Sequence, residues 1–252
     1  MKNKVAIITG ATAGIGEAVA CQLAQKGCNL IITGRREERL QALKNKLVTE
    51  FGIKVLSLCF DVRSNEQVIS NLGSLEGEWA NVDILVNNAG LAVGLGSIDA
   101  GVIDDWERMI DTNVKGLLYV TKVISKYMIA RECGHIINLC SIAGKEVYPN
   151  GNVYCASKHA VDALTKAMRI DLVTHNIRVS QICPGAVETE FSEVRFKGDK
   201  ERAANVYKGF TPLSASDIAD AILYMICCPP HVCINDMVIM PTAQACSTIF
   251  NK

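Results

Sequence analysis

A short apolar run leads directly into three closely spaced glycines in the stretch Val5-Ala6-Ile7-Ile8-Thr9-Gly10-Ala11-Thr12-Ala13-Gly14-Ile15-Gly16. The β-branched residues before the glycines predict a buried strand, and the amphipathic pattern of residues 17–26 predicts a helix after them. Glycines at this spacing let the backbone approach a pyrophosphate, whose charge is stabilised by the free N–H groups of a helix N-terminus. An ordinary glycine turn would need only one of the three. The stretch therefore predicts a dinucleotide-binding loop.

The alternation of strand and helix patterns continues along the chain. Helical spacing is found at residues 37–50, 106–130 and 154–175. The predicted strands are nearly all apolar, which is typical of parallel strands buried on both faces by helices. We expect one doubly wound α/β domain spanning residues 1–252, with a mobile lid at residues 188–211, the least regular stretch. Seven strands are predicted, at residues 5–9, 30–33, 54–59, 84–86, 135–140, 178–182 and 237–239.

Composition and charge exclude several classes of partner. Hydrophobic residues make up 49% of the chain, which is enough for a large core. The 26 basic and 26 acidic residues cancel, so no overall field attracts nucleic acid or an anionic membrane. No apolar run reaches the ~18 residues of a membrane span, and no signal peptide is recognisable. We expect a cytoplasmic protein that binds a small molecule.

The eleven cysteines do not form a recognisable disulfide or metal pattern. There is no Cys-x-x-Cys pair, and a disulfide scaffold would require an export signal. The alternative, a metal or redox site at Cys227, Cys228 and Cys233, lacks a supporting histidine or acidic spacing. We therefore expect no metal, and we expect reduced, buried thiols where cysteine lies in apolar sequence, at Cys21, Cys59, Cys140, Cys155 and Cys183.

The residues after the second predicted strand, Thr33-Gly34-Arg35-Arg36, indicate which dinucleotide is bound. An acidic residue here would accept hydrogen bonds from the ribose of NAD. Arg35 and Arg36 instead oppose the dipole of the following helix, unless an anion lies beside them. A ribose 2′-phosphate is such an anion, so NADP(H) is the predicted cofactor. The alternative is a solvated basic patch in which Glu37 and Glu38 pair with the arginines.

Further cofactor contacts are predicted at the same edge of the sheet, because the carboxyl ends of parallel strands meet there. These residues follow the third and fourth predicted strands, and we expect them to contact adenine and ribose. They are Asp61, Val62, Asn88, Ala89 and Gly90.

Tyr154 and Lys158 lie one helical turn apart within Tyr154-Cys155-Ala156-Ser157-Lys158, so their side chains can converge. A phenol with a pKa near ~10 becomes a base at neutral pH only if its phenolate is stabilised by about 4 kcal/mol. An adjacent ammonium and an oxidised nicotinamide can provide this. Ser141 directly follows the fifth strand, where its hydroxyl can bond the reacting substrate oxygen. The alternative for Ser141 is a turn cap.

Asn113 lies inside the predicted helix at 106–130, in Asp111-Thr112-Asn113-Val114-Lys115-Gly116. Asparagine with a nearby glycine is unfavourable in a helix interior. The pattern predicts a local distortion of the helix or a held water.

These motifs together resemble the short-chain dehydrogenase/reductase family, and the likeness covers nearly the whole chain. The resemblance implies a Rossmann-type fold and a homotetramer in which helices 106–130 and 154–175 pack between subunits. It implies that Tyr154 is the acid/base and that Lys158 holds the nicotinamide ribose and lowers the tyrosine pKa. It further implies that Ser141 orients the substrate oxygen and that Asn113 maintains a water-linked proton path. The nicotinamide end would contact the segment Pro184-Gly185-Ala186-Val187 and nearby Thr189.

Several stretches are closer to the NADP-dependent 3-hydroxy acid dehydrogenases, including serine and allo-threonine dehydrogenases. One of them is Val194-Arg195-Phe196-Lys197-Gly198-Asp199. The likeness implies substrates such as serine or 3-hydroxypropionate, whose carboxylate Arg195 or Lys197 would bind. Glu188 and Glu190 depart from this expectation, because they place negative charge near the entrance for an anion. Two alternatives remain: a reductase of bulkier ketosteroids or acyl thioesters, and a non-catalytic NADP(H)-sensing protein.

Overall fold

The computed structural model describes residues 1–251 and is built around a seven-stranded sheet. All six strand pairs are parallel, in the order β3-β2-β1-β4-β5-β6-β7. The predicted doubly wound sheet with parallel strands is confirmed. The strands are β1 (Val5–Ile8), β2 (Asn29–Gly34), β3 (Val55–Cys59), β4 (Val82–Asn87), β5 (Gly134–Leu139), β6 (Ile177–Pro184) and β7 (Asp236–Ile239).

Nine α-helices within residues 1–251 connect and cover the strands. They are α1 (Gly14–Gln25), α2 (Glu37–Phe51), α3 (Asn65–Leu72), α4 (Ile103–Ile110), α5 (Leu117–Ala130), α6 (Asn152–Leu172), α7 (Phe191–Arg195), α8 (Lys200–Asn205) and α9 (Ala215–Cys227). Short 3-10 helices occupy Gly77–Ala80, Ile142–Gly144 and Val173–His175.

Successive residues of β1 enter two different cores, because side chains alternate between the faces of a strand. Ala6 and Ile8 pack into a core with α1, α2 and α9. Val5 and Ile7 pack into a second core with α3, α5 and α6. All four side chains are buried, which explains why the strand is continuously apolar.

The chain changes direction across the sheet between β1 and β4. From β1 it builds outward to β2 and β3, then crosses back and continues outward from β4 on the other side. The loops that follow β1 and β4 therefore diverge and leave a crevice at the carboxyl ends of these two strands. Such a crevice is where ligands bind in sheets of this type.

The helix predicted at 106–130 begins earlier, at Ile103, and contains a π-helical turn at Asp111–Gly116, between α4 and α5. The expected burial of all five cysteines needs correction. Cys59 is exposed rather than buried, because it ends the edge strand β3, and Cys21 is only partly buried. Cys140, Cys155 and Cys183 are buried as predicted, and all eleven cysteines are free.

No helix in the described part of the chain is long and apolar enough to cross a membrane. Likewise, residues 1–251 contain no group of three histidine, cysteine or acidic side chains placed to hold a metal ion.

Candidate active site

The glycine loop after β1 is held by Asn88, from the loop after β4. The Asn88 amide donates hydrogen bonds to the carbonyl oxygens of Thr9 (2.8 Å) and Gly10 (3.1 Å). The backbone N–H groups of Asn88 and Ala89 donate to Thr9 Oγ1, at 3.0 and 2.9 Å. A Cβ on Gly16 would lie 2.4 Å from the Asn88 amide nitrogen, so only glycine allows this contact. Asn88 therefore holds together the two loops that form the crevice.

A cavity of about 630 Å³ occupies the crevice and the space above β5 and β6. Of the predicted cofactor residues, Ala11 and Gly16 are buried under the loop and do not line it. The other predicted cofactor residues and the three acid/base-site residues all line the cavity: Gly10, Thr12, Ala13, Gly14, Ile15, Arg35, Arg36, Asp61, Val62, Asn88, Ala89, Gly90, Ser141, Tyr154, Lys158, Pro184, Gly185, Val187 and Thr189.

Arg36 lies at the N-terminus of α2 and faces the glycine loop. Its Nε and Nη2 donate to Thr12 Oγ1 at 3.2 and 3.0 Å. Its Nη1 forms an ion pair with Glu190, and Arg39, one turn further along α2, pairs with the same carboxylate. Arg35 lies 3.7 Å from Asp61. The alternative pairing with Glu37 and Glu38 is not observed; Glu37 accepts a hydrogen bond from Gln41 instead.

These residues fit a dinucleotide that carries a ribose 2′-phosphate. Gly10 has a positive φ of 66°, and an added Cβ would lie 3.0 Å from the Cα of Ala89, so the tight loop requires glycine at this position. The free N–H groups at the start of α1 suit the pyrophosphate. Arg35 and Arg36 supply planar cations for the third phosphate.

Tyr154 and Lys158 both point from α6 toward the cavity. Lys158 Nζ donates to the carbonyl oxygen of Leu139, the last residue of β5, at 2.8 Å. The same Nζ lies 6.0 Å from the centre of the Tyr154 ring. The ammonium is therefore held beside the phenol by a backbone carbonyl at the end of β5.

Ser141 is both a turn cap and a residue of the cavity wall. Its Oγ accepts a hydrogen bond from the N–H of Ala143 (3.1 Å) and so caps the short helix Ile142–Gly144. The same hydroxyl donates to the carbonyl oxygen of Pro184 at 3.4 Å and lines the cavity. The cap fixes the hydroxyl where a substrate oxygen can reach it.

Burial raises the pKa of Tyr154 above its ordinary value, and the nearby Tyr148 raises it further. The nearby Ser141 hydroxyl and the charge of Arg195 act in the opposite direction. Burial also lowers the pKa of Lys158. Burial therefore outweighs the effects of Ser141 and Arg195, and the lowering of the tyrosine pKa by Lys158 together with an oxidised nicotinamide stays a prediction. Phenolate formation needs additional positive charge beside the ring.

The predicted distortion at Asn113 is confirmed by the π-helical turn. The side chain is buried, and its amide donates to the carbonyl oxygen of Leu91 (2.8 Å) and to Ser157 Oγ (3.0 Å). Its Oδ1 accepts the N–H of Leu91 at 2.8 Å. Asn113 does not line the cavity; it ties the loop after β4 to helix α6, on which Tyr154 lies.

The predicted lid segment brings Arg195, but not Lys197, to the cavity. Arg195 Nη2 donates to the hydroxyl of Tyr148 at 2.8 Å, and its guanidinium carbon lies 5.7 Å from the centre of the Tyr154 ring. Its Nε is buried and has no hydrogen-bond partner among the described residues. Lys197 points away and pairs with the buried Asp105 at 2.8 Å.

Three residues of the site were missed by the sequence analysis. Tyr148 lines the cavity and orients Arg195. Its position in the sequence, between Ser141 and Tyr154, could have indicated a place near the site. Arg39 continues the arginine cluster at a spacing of one helical turn. Gln244 accepts the N–H of Ala186 at 2.8 Å and holds the loop after β6. No local pattern connects Gln244 with that loop, so only the fold shows the contact.

The chain is similar to known proteins over nearly its whole length. Residues 4–200 match the model of the short chain dehydrogenase family. The chain is 45% identical over 242 residues to the NADP-dependent 3-hydroxy acid dehydrogenase YdfG of Salmonella typhi, covering 96% of each protein. The closed form of serine dehydrogenase complexed with NADP+ has a TM-score of 0.92 and 42% identity, covering 98% of this chain and 99% of that one. Serine dehydrogenase from Escherichia coli has a TM-score of 0.82 and 39% identity, covering 96% and 99%.

Proposed function

Because this chain belongs to the short-chain dehydrogenase family, we propose that it oxidises small 3-hydroxy acids at the 3-position, or reduces the matching β-keto acids or semialdehydes. The chain is an NADP-dependent oxidoreductase that interconverts a hydroxyl and a carbonyl group. The family, enzyme class and cofactor predicted from the sequence are thereby confirmed. The observation that carries the proposed substrate class is the cation of Arg195 beside Tyr154.

In the proposed mechanism, Tyr154 Oη takes the proton of the substrate hydroxyl during oxidation and returns it to the carbonyl oxygen during reduction. A nicotinamide bound in this cavity would supply the hydride chemistry. The Ser141 hydroxyl donates a hydrogen bond to the same substrate oxygen, which stabilises its developing charge. Lys158 provides a fixed positive charge near the phenol and is placed to hold the ribose.

The proposed cofactor contacts are the glycine loop, the arginines after β2 and the loops after β3, β4 and β6. Within this set, Asp61, Val62 and Asn88-Ala89-Gly90 are proposed for adenine and ribose, and Pro184, Gly185, Val187 and Thr189 for the nicotinamide end. Asn113 is proposed to position α6 by its contacts with Leu91 and Ser157, and its water-linked proton path stays a prediction.

We propose that Arg195 binds the substrate carboxylate. Its buried Nε lacks a partner, which is costly for a donor unless a ligand accepts its hydrogen bond. Phe191 from the same segment packs on Tyr154 with ring centres 5.8 Å apart. Residues 188–211 are thus proposed to cover the substrate as a lid. Lys197, engaged with Asp105, is not part of this proposal.

A substrate screen tests the proposed function. We expect NADP+ reduction with serine, 3-hydroxypropionate or 3-hydroxyisobutyrate, measured by absorbance of NADPH. Activity with bulky alcohols and none with these acids would instead favour the ketosteroid or acyl-thioester alternative. A protein that binds NADPH without turning over either class would favour the sensing alternative.

The same screen checks Arg195 with a pair of substrates, one with a charged carboxylate and one with a neutral methyl ester. Arg195→Gln should raise the KM of the best 3-hydroxy acid by about 10- to 100-fold, since it removes a charge-assisted hydrogen bond. The methyl ester of that acid is the control, and its KM should not change. An equal loss for acid and ester would remove Arg195 from carboxylate binding.

We propose a homotetramer in which α5 and α6 pack between subunits. Leu118 on α5 and Ile170 on α6 are exposed apolar residues, and Val173 follows on the same segment. Light scattering should give a mass of about four times 27.3 kDa. Ile170→Asp should lower that mass by placing a charge in an apolar contact, whereas Val48→Asp on α2 should not. A monomer in the unmodified protein would contradict the proposal.

The cytoplasmic location likewise stays a prediction.

A further inference from the structure

Glu190 connects the segment after β6 to the arginines of α2. Its Oε2 lies 2.9 Å from Arg36 Nη1, and its Oε1 lies 2.6 Å from Arg39 Nη1. Each carboxylate oxygen thus has its own guanidinium. Arg36 is in turn bonded to Thr12 of the glycine loop, so one carboxylate joins two arginines beside the cofactor cavity.

The position of this carboxylate conflicts with the binding of a phosphate. Arg36 uses Nε and Nη2 for Thr12 and Nη1 for Glu190, so the three nitrogens of its guanidinium are engaged. One N–H of Nη1 is left, and a phosphate that binds Arg36 there lies beside the Glu190 carboxylate. If Glu190 stayed, two anions would lie against one another, and like charges at short distance repel.

The charge of Glu190 persists at neutral pH. Hydrogen bonds from Arg39 and Arg36 hold the pKa of the Glu190 carboxyl below its ordinary value. The three side chains are between 43% and 49% exposed, so water screens the ion pairs and the carboxylate can be displaced.

We propose that Glu190 is a determinant of cofactor affinity, whose carboxylate occupies the anion site of Arg36 and Arg39 until the ribose 2′-phosphate displaces it. Glu190 therefore weakens the binding of NADP(H) and leaves that of NAD(H) unaffected. Displacement also releases the segment after β6 from α2 at this contact. The proposal rests on the NADP dependence stated above and on the proposed contact of Arg36 with the 2′-phosphate.

Calorimetric titration with adenosine 2′,5′-bisphosphate and with 5′-AMP tests the competition without any turnover. Glu190→Gln should tighten the bisphosphate by about three- to tenfold, which is the range for losing two exposed ion pairs. Binding of 5′-AMP should not change. Glu188→Gln is the matched control, because it removes the same charge two residues away, where no ion pair to Arg36 or Arg39 is formed.

Unchanged or weaker binding of the bisphosphate by Glu190→Gln would overturn the proposal, since weaker binding would mean that Glu190 positions the arginines for the phosphate. An equal gain in Glu188→Gln would also overturn it, because the effect would then be one of general charge. If the unmodified protein bound both nucleotides equally, the assignment of Arg36 to the 2′-phosphate would itself fail, which is a distinct result.

Discussion

Tyr154→Phe is expected to lower kcat by about 10²- to 10⁴-fold on the best substrate, because it removes the group that transfers the proton. The ring, its packing on Phe191 and the shape of the cavity remain. The KM and the affinity for NADPH should therefore change little. Steady-state kinetics and NADPH fluorescence titration measure the two effects separately.

The pH dependence gives a second check on Tyr154. Because burial raises the pKa of this phenol, it is protonated at neutral pH in the free enzyme. Oxidation needs the deprotonated base, so its kcat/KM should rise as the pH increases from neutral. Reduction needs the protonated acid and should be flat over the same range. Tyr154→Phe should lose the rise.

Tyr224→Phe is the control for both measurements, because Tyr224 is an exposed residue of α9 and does not line the cavity. It should retain full activity and the full pH profile. Unchanged turnover in Tyr154→Phe would show that another group transfers the proton.

Replacing Arg35 and Arg36 together with serine is expected to weaken NADPH binding by about 10²- to 10³-fold, since two charge-assisted contacts with the 2′-phosphate are lost. NADH lacks this phosphate, and its Kd should change little. The ratio of the two dissociation constants, measured by fluorescence titration, isolates the effect of the phosphate.

Lys46→Ser is the matched control for the arginine variant. It removes a positive charge from the exposed surface of the same helix, at a residue that does not line the cavity. Its NADPH affinity should equal that of the unmodified protein. Equal losses for NADPH and NADH in the double variant would contradict the assignment of the 2′-phosphate to Arg35 and Arg36.

Much of the site could be predicted because its signals are local. Three glycines after a strand need no distant partner to indicate a tight phosphate loop, and Tyr154 and Lys158 share a helix face by spacing alone. The irregularity at Asn113 was also visible locally, since asparagine and glycine both disfavour a helix interior. All seven strands were predicted for the same reason, with ends within two residues of those observed, because continuous apolar runs are typical of buried parallel strands.

The partners of charged residues could not be predicted in this way. Glu37 and Glu38 are adjacent to Arg36 in sequence, yet Glu190 is its partner, from a loop 154 residues away. Arg195 and Lys197 are two residues apart, but one faces Tyr154 and the other pairs with Asp105. Only the path of the loop after β6 determines which charges meet.

The amino-acid order thus specifies the parallel sheet, the dinucleotide loop and the acid/base pair, because each depends on residues within one strand, turn or helix. Long-range packing specifies the environment of that pair. Burial raises the pKa of Tyr154, Leu139 holds Lys158, and Glu190 lies across the arginines. The pKa values and ion pairs of these side chains depend on burial and on nearby charges, and the groups that provide both come from distant parts of the chain.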